Sequence, residues 1–506
     1  MAARLSKLPL FLILVGLSGL AMFIPAIYAG VLHDLHEARS FMYSGILTLF
    51  VSGLIALAIS DTGRPARTVD HLITLFLAFM VLPLILAVPF AEGLITTSYV
   101  NAYFEMLSSF TTTGATLFDT PGRLSPSLHL WRGLVAWLGG LMMWIAATAV
   151  FAPLSLGGFE VTTRSETGGG LDASRGQIQQ ADAMKRWQRS AAVLVPIYSG
   201  LTLALWIMLM ILGETSLTGL MHAMSVLSTS GISPVGGVPN AQAGLGGEMV
   251  LFLFMLFALS RLTFSADTGA VRRDSLWEDP EFRLGLMVVA VVPLILFLRH
   301  WIGSYEFSET QTFVDVFKAI WGSMFTVLSF LTTTGFESAD WDTAQSWSGL
   351  GTPGMILMGL AIIGGGVATT AGGVKLLRVY VLYLQGLGEM ERLVHPSIIV
   401  GSGAKSRRIR RKGAQIAWVF FMLFAMSIAL ICVLLAGLGV EFEQALVMAI
   451  ATLTTTGPLI PVASEVPINL VSLGDGVKLV LCVSMVLGRL EILAIIALLS
   501  PELWHK

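Results

Sequence analysis

The sequence predicts an all-α polytopic membrane protein built on an internal repeat, and three observations carry that prediction. Charged residues make up 12% of its 506 residues and hydrophobic ones 55%, against about 25% charged in a soluble domain. Ten stretches are apolar enough, at roughly 20 residues each, to cross a bilayer as helices. A short hydroxyl run closing on glycine occurs four times, about 100–120 residues apart, and a repeat of this kind governs every later reading. The formal net charge of -2 carries no nucleic-acid signal. Cys432 and Cys482 both lie in apolar runs and suggest neither a disulfide framework nor a metal site.

The predicted spans are 8–29, 41–59, 69–89, 128–149, 191–212, 248–268, 283–301, 354–384, 414–435 and 476–499. The first two form a leading pair, and the other eight fall into four pairs. The opening apolar run is long for a signal-peptide core and further spans follow it, so it reads as a span. Inside each later pair lies a shorter segment, 101–110, 217–227, 314–331 and 443–453, that ends in the repeated run. The four runs are Ser108-Ser109-Phe110-Thr111-Thr112-Thr113-Gly114, Ser225-Val226-Leu227-Ser228-Thr229-Ser230-Gly231, Ser329-Phe330-Leu331-Thr332-Thr333-Thr334-Gly335 and Ala451-Thr452-Leu453-Thr454-Thr455-Thr456-Gly457. Breakers follow them, Pro121-Gly122 after the first and Pro458 and Pro461 after the last.

Most of these segments are too short to cross. Irregular backbone at membrane depth is tolerated only where it is buried in protein or lines a watery cavity. Each later pair therefore reads as helix, re-entrant half-helix with loop, helix. An interfacial helix is the alternative, and it leaves the matching chemistry of four loops without a cause. The division is 1–60 for the leading pair, then repeats at 61–152, 153–270, 271–384 and 385–506.

Lys and Arg set the orientation. Arg4 and Lys7 precede the first span, Arg64 and Arg67 follow the second, and Arg164 to Arg189, Arg272 to Arg283 and Lys405 to Lys412 fall between repeats. Loops within repeats are nearly free of positive charge, with Arg123 the clearest exception. The positive-inside rule then puts both termini in the cytoplasm and has the four loops enter from outside.

A dehydrated monovalent cation needs a cage of oxygens, which backbone carbonyls and Thr hydroxyls supply. Gly114, Gly231, Gly335 and Gly457 lack a Cβ and can take positive φ, turning carbonyls toward a common axis. Half-helices with inward C-termini present partial negative charge there. The expected ion ligands are Thr112, Thr113, Gly114, Thr229, Ser230, Gly231, Thr333, Thr334, Gly335, Thr455, Thr456 and Gly457. The expected fold is thus ten transmembrane helices, a leading pair plus four pseudo-repeats of helix, re-entrant pore loop and helix around a single pore. Asp119, Glu337, Asp340, Asp342 and Glu465 lie toward its outer mouth, either as ordinary solvated charge or as a field that concentrates cations.

Four loops of this form between paired helices resemble the potassium transporter superfamily of Trk, Ktr and plant HKT proteins. The leading pair, together with Leu130-Trp131-Arg132-Gly133, Trp137-Leu138-Gly139-Gly140, the run from Gly364 to Lys375, and Leu487-Gly488-Arg489-Leu490-Glu491, is similar to the bacterial TrkH/TrkG branch. The resemblance implies an inner-membrane potassium uptake subunit, not an enzyme, working as a homodimer. It also implies a cytosolic nucleotide-binding regulatory ring of the TrkA type, with K+ as the transported ion and no cofactor. Glycine at all four filter positions implies potassium over sodium. The second loop departs, with Ser228-Thr229-Ser230 in place of three threonines. A sodium-permeable relative and a polytopic membrane enzyme are the alternatives, the latter lacking paired carboxylates or an activated nucleophile near the runs.

Gly364, Gly365, Gly366, Ala368, Thr369, Thr370, Gly372, Gly373 and Lys375 sit inside a span longer than crossing requires. Glycines cost about 1 kcal/mol each in a helix, so this cluster is expected to break it. Two readings stand: close packing of small residues between helices, or a loop crossing the pore below the filter as a gate, the role the resemblance also implies. Arg489, mid-span in the last helix, is an expensive residue at that depth. It reads either as paired with Glu491 or snorkelling, or as a positive barrier under the filter. Lys375 is a second barrier or a boundary lysine. His222 and His129 read as hydrogen-bonded structural histidines, with proton coupling the other option. The basic run 405–412 reads as a positive-inside signal contacting membrane lipid headgroups, or as a docking surface for the regulator. No phosphate-cradling loop is present.

Overall fold

The computed structural model describes residues 9–59, 68–118, 120–152, 156, 158–159, 183–260, 277, 279–303, 313–349, 352–395, 411–464 and 468–491. Asp119, Glu465, most of the basic run 405–412 and both chain ends lie outside them. The described residues are helical or irregular, with no strand among them. Eight of these helices are long and apolar enough to cross a membrane, and three shorter apolar helices accompany them.

The first predicted span forms α1 (Leu10–Ala21) and α2 (Phe23–Val31), broken at Met22. Pro25 explains the break, because it has no N–H for the Ala21 carbonyl one turn back. The span α3 (Leu35–Ile59) follows. Next, α4 (Thr68–Gly93) carries Pro83 and Pro89 in its interior. Neighbouring helices supply donors to carbonyls near these prolines: Tyr103 hydroxyl to Met80, Tyr99 hydroxyl to Leu84 and the Trp131 indole to Leu86. Prolines in membrane helices are tolerated on that condition.

The short segments form α5 (Tyr99–Phe110), α8 (Ser216–Ser228), α11 (Phe313–Leu331) and α16 (Phe442–Leu453). Ser98 caps α5 by accepting from the Asn101 N–H, and α11 is long enough by itself to count among the eight candidate spans. Their partners are α6 (Pro126–Ala146), α7 (Ala183–Ile211), α9 (Gly244–Met255), α10 (Pro280–Gly303), α15 (Arg411–Gly437) and α18 (Asp475–Leu490). Ser125 caps α6 with Pro126 at its first position, the favoured start for a helix. The long span predicted at 354–384 divides into α13 (Gly354–Ile363) and α14 (Leu376–Val394), as its glycines require. Two further short helices, α12 (Trp341–Ser348) and α17 (Leu459–Ala463), follow the third and fourth loops.

Packing closes the bundle on itself. The helix after each loop touches the next short helix: α6 meets α8, α9 meets α11, α13 meets α16, and α18 returns to α5. The short helices occupy the centre, with Ala102 through Phe110 buried without interruption. The span Pro126–Phe151 is 83% buried and Leu35–Ile59 only 17%, so α3 lies at the periphery of the bundle.

Candidate functional site

Each short helix ends in the same way. The N–H of the residue before the glycine reaches back five positions: Thr113 to Ser108, Ser230 to Ser225, Thr334 to Ser329 and Thr456 to Ala451, at 2.8–2.9 Å. The residue before that donates three positions back, Thr112 to Ser109, Thr229 to Val226, Thr333 to Phe330 and Thr455 to Thr452. This is the paired bond of a Schellman cap, which normally places glycine at its left-handed position. Here the left-handed residue is threonine in all four, at φ 55°, 53°, 57° and 52°. A β-branched residue in that region is strained by roughly 1–3 kcal/mol, and such strain clusters at functional sites.

The hydroxyls divide their work by position. The first of each trio bonds the carbonyl four residues back, as Thr111, Ser228, Thr332 and Thr454 do to Leu107, Met224, Leu328 and Ile450. The third pairs with the first, Thr113 with Thr111, Ser230 with Ser228, Thr334 with Thr332 and Thr456 with Thr454. Either Ser or Thr does this, so the serines of the second loop fall on capping positions. The middle residue is always Thr. The Thr112 and Thr455 hydroxyls are buried with no hydrogen-bond partner, Thr229 donates to the Ser228 carbonyl, and Thr333 accepts from the Gly372 N–H at 2.7 Å.

The glycines lock the four loops into a closed ring. A Cβ on Gly114 would lie 1.8 Å from the Ser230 oxygen, and one on Gly231 2.2 Å from the Thr334 oxygen. One on Gly335 would meet Pro458 at 2.9 Å, and one on Gly457 would meet the Ala115 nitrogen at 2.0 Å. Loop one thus abuts loop two, two abuts three, three abuts four, and four abuts one. The Gly457 N–H donates to the Thr113 carbonyl at 2.6 Å across that last junction. Gly114, Gly231 and Gly335 have φ of 74°, 64° and 82°. Gly457 does not share the left-handed conformation expected for it, because it precedes Pro458 and that neighbour disfavours it. Its necessity is steric.

The run 364–375 forms a loop whose two feet are tied together. Val374 and Lys375 donate backbone N–H groups to Ile362 and Ile363, and Leu376 to Gly365. Gly364 and Gly373 are left-handed, and so is Ala368 at φ 58°. The loop packs on the inner ends of the hydroxyl runs: besides the Thr333 bond, a Cβ on Gly372 would lie 2.0 Å from the Thr454 oxygen, and Thr370 donates to the Leu227 carbonyl at 3.1 Å. From the first pair, Trp144 donates its indole N–H to Ala368 at 2.8 Å. Thr369 bonds the Gly366 carbonyl, and a cavity of about 20 Å³ lies beside Thr369 and Thr370.

Arg489 is 3% exposed and donates from Nη1 to the Thr370 carbonyl, while its Nε and Nη2 have no partner. Lys375 Nζ donates to Ala371 of the same loop. Glu491 pairs with Arg378 at 2.7 Å rather than with Arg489, and the Arg378 guanidinium lies 3.7 Å over the Phe420 ring. Arg378 and the buried Glu281, which accepts from the Val367 N–H, are site residues absent from the sequence-based expectation, and Glu491 enters with a partner other than the one expected for it. For Arg378, charge inside the predicted span 354–384 was the available signal.

Buried carboxylates also hold the segments that return from the ring. Glu105 takes Arg132 at 2.6 Å and the Leu117 N–H at 3.1 Å. Glu248 accepts from the Trp321 indole, the Ser338 hydroxyl and the Ala339 N–H. His222 bonds the Ser233 hydroxyl and His129 the Pro121 carbonyl, both at 2.9 Å. Glu337 is half-buried, and Asp340 lies 4.0 Å from Lys318.

Comparison with known proteins places this architecture. The family model for the TrkH cation transport protein matches residues 253–506. The Trk system potassium uptake protein TrkH of Vibrio parahaemolyticus is 29% identical over 420 residues, covering 81% of this chain and 80% of the relative. That of Halomonas elongata is 29% identical with 92% of each chain covered, and TrkG of Escherichia coli K12 is 26% identical over 88% of this chain and 87% of its own. The crystal structure of the potassium transporter TrkH from Vibrio parahaemolyticus superposes with a TM-score of 0.79 at 26% identity, covering 100% of both chains. By its sequence and its all-helical architecture, this multi-pass chain belongs to the TrkH family of cation transport proteins, within the TrkH/TrkG branch.

Proposed function

We propose that this chain is a potassium uptake subunit of a bacterial inner membrane, with the four hydroxyl–glycine loops as its selectivity filter. The observation that carries the reading is the closed ring of four loops, each with a left-handed threonine at its cap. Right-handed residues such as Thr111 and Thr454 precede left-handed ones, which turns successive peptide planes and offers carbonyls along one axis. The C-terminal ends of four short helices add partial negative charge there. The relatives' designation as potassium uptake proteins supports K+ as the cargo.

On this reading the repeats 61–152, 153–270, 271–384 and 385–506 each supply one quadrant, and 1–60 is peripheral. The loop 364–375 is the gate, held closed by Thr333 and Leu227 above and by Trp144 beside it. Arg489 is a positive barrier beneath it, with Lys375 as a second cation. Both termini are cytoplasmic by the distribution of Lys and Arg. Membership of a named Trk system supports regulation by a cytosolic nucleotide-binding ring of the TrkA type acting on a homodimer.

The test is flux through purified chain in liposomes under an imposed voltage with no other gradient. Potassium flux is expected, with sodium well below it. In Gly114→Ser the new side chain must displace the Ser230 carbonyl, and potassium-over-sodium discrimination should fall about tenfold, or roughly 1.4 kcal/mol. Unchanged ion ratios in this variant would remove the filter assignment.

A further inference from the structure

A cavity of about 80 Å³ lies outside the ring of loops, between the leading helix and the first pair. It is lined by Leu86 of α4, Phe110 of α5, Val135 and Ile145 of α6, and Trp187 of α7, with Leu17 of α1 among its walls. Val135 and Ile145 are ten positions apart on one helix, so the slot runs about 15 Å along it. All but Leu17 are buried, and Leu17 is 50% exposed. Leu17 belongs to the span Leu10–Val31, so the medium at the opening is hydrocarbon.

Two polar side chains line the slot. The Ser18 hydroxyl is already spent on the Val15 carbonyl at 2.8 Å. The Trp187 indole N–H is buried and has no acceptor, an arrangement that native proteins avoid unless something else supplies one. Trp187 sits in the first turns of α7, where the candidate span begins at Met184, which is the depth of a bilayer's ester and headgroup layer. Lys185, Arg186 and Arg189 surround it in sequence, with Lys185 and Arg189 exposed. Arg186 reaches the Ala149 carbonyl, which fixes this basic turn against the end of α6. Basic side chains at that level attract anionic lipid.

We propose that the slot holds one acyl chain of an anionic glycerophospholipid, with an ester oxygen accepting from Trp187 Nε1 and the phosphate lying at the basic first turn of α7. Hydrocarbon fits a slot whose walls are otherwise apolar, the acceptor answers the unpartnered donor, and the charge selects the headgroup. The tail then ends against Phe110, the residue before the first hydroxyl of loop one. This gives membrane composition a contact with that loop which passes through no protein partner.

The experiment uses the full chain in phosphatidylcholine liposomes doped with phosphatidylglycerol or phosphatidylcholine carrying a photoreactive acyl chain. After illumination, adducts should map to Phe110 and Val135, which bulk lipid cannot reach, several-fold more from the phosphatidylglycerol probe. Replacing all three basic residues (K185A, R186A, R189A) should cut that yield several-fold and leave labelling of the exposed Leu20 unchanged. Leu138→Trp, which narrows the slot, should abolish adducts at Phe110 and Val135 from both probes; if that variant does not fold, the wild-type map and the surface variant still decide. Adducts confined to exposed residues such as Leu20 and Ile24 would overturn the slot. Equal yields from the two probes at Phe110 and Val135 would overturn the headgroup assignment.

Discussion

The hydroxyl of Thr333 accepts a hydrogen bond from the backbone N–H of Gly372 at 2.7 Å. One atom is thereby shared between the third hydroxyl–glycine loop and the glycine-rich loop beneath it. The equivalent hydroxyls of Thr112 and Thr455 have no partner. On the proposed reading, an ion seated at the inner end of the ring and the glycine-rich loop compete for Thr333.

Removing that acceptor should loosen the proposed gate without unfolding the bundle. Thr333→Val keeps the branched shape and deletes one buried bond, about 1 kcal/mol. Basal potassium flux into liposomes without any activating partner should rise about fivefold. Thr112→Val is the control, because its hydroxyl makes no bond to the gate loop. It should alter ion ratios without the rise in basal flux. Equal leak from the two variants would show that the Thr333–Gly372 bond does not hold the loop.

Arg489 holds the same loop from below through the Thr370 carbonyl. Arg489→Gln removes the charge and should raise basal flux several-fold. Arg489→Lys keeps the charge but not the planar fork. If the residue acts as a positive barrier, lysine should restore most of the tightness; if the hydrogen bond to Thr370 matters more, it should not. Deleting Ala368–Gly372 removes the contacts with Thr333, Leu227 and Trp144 together and should leak more than either substitution. A deletion as tight as the parent would remove the gate assignment.

The ion pair between Glu105 and Arg132 supports loop one from behind. Both side chains are at most 5% exposed, and the other carboxylate oxygen holds the Leu117 N–H. Arg132→Met leaves a buried carboxylate without its counter-charge, which costs about 3–5 kcal/mol. Thermal unfolding of the purified chain in detergent should shift down clearly. The double change Glu105→Gln with Arg132→Met should recover much of the loss, since no unpaired charge then remains.

Much of this site is legible in the sequence, and what is missing follows from its physics. The hydroxyl runs stand out because one chemistry recurs at membrane depth, and the break at Gly364–Gly373 because clustered glycines cannot sustain a helix. Local pattern assigns positive φ to the glycines alone. It does not reveal that a Schellman cap puts Thr112, Thr229, Thr333 and Thr455 in the left-handed region, nor that Pro458 keeps Gly457 out of it. Partners are harder still. Adjacency offers Arg489 to Glu491, but α18 ends at Leu490 and Glu491 sits beyond it at φ 60°, where the fold brings it Arg378 from 113 positions away. The seat of Gly372 under Thr333 and Thr454 is likewise a product of the assembled bundle. The length of 314–331 suits both a half-helix and a crossing, and only its hydroxyl ending groups it with the other three.

In the proposed orientation, Glu337 should make the outer end of the ring sensitive to pH near neutrality. Burial, with a smaller contribution from Asp342, pushes its carboxyl from 4.5 up to about 7. Below that value the group is neutral, and above it the mouth gains a negative charge two residues beyond Gly335. Cation entry at low external concentration should therefore increase as external pH rises from 6 to 8, because a focused negative field raises local cation concentration. Glu337→Gln should flatten that rise. Stability runs the other way: between 4.5 and 7 the folded state binds more protons at this site than the unfolded state, so stability falls as pH increases through the window. Wild type should lose thermal stability relative to Glu337→Gln on going from pH 5 to pH 8. A pH profile of entry unchanged in the variant would assign the dependence to another group.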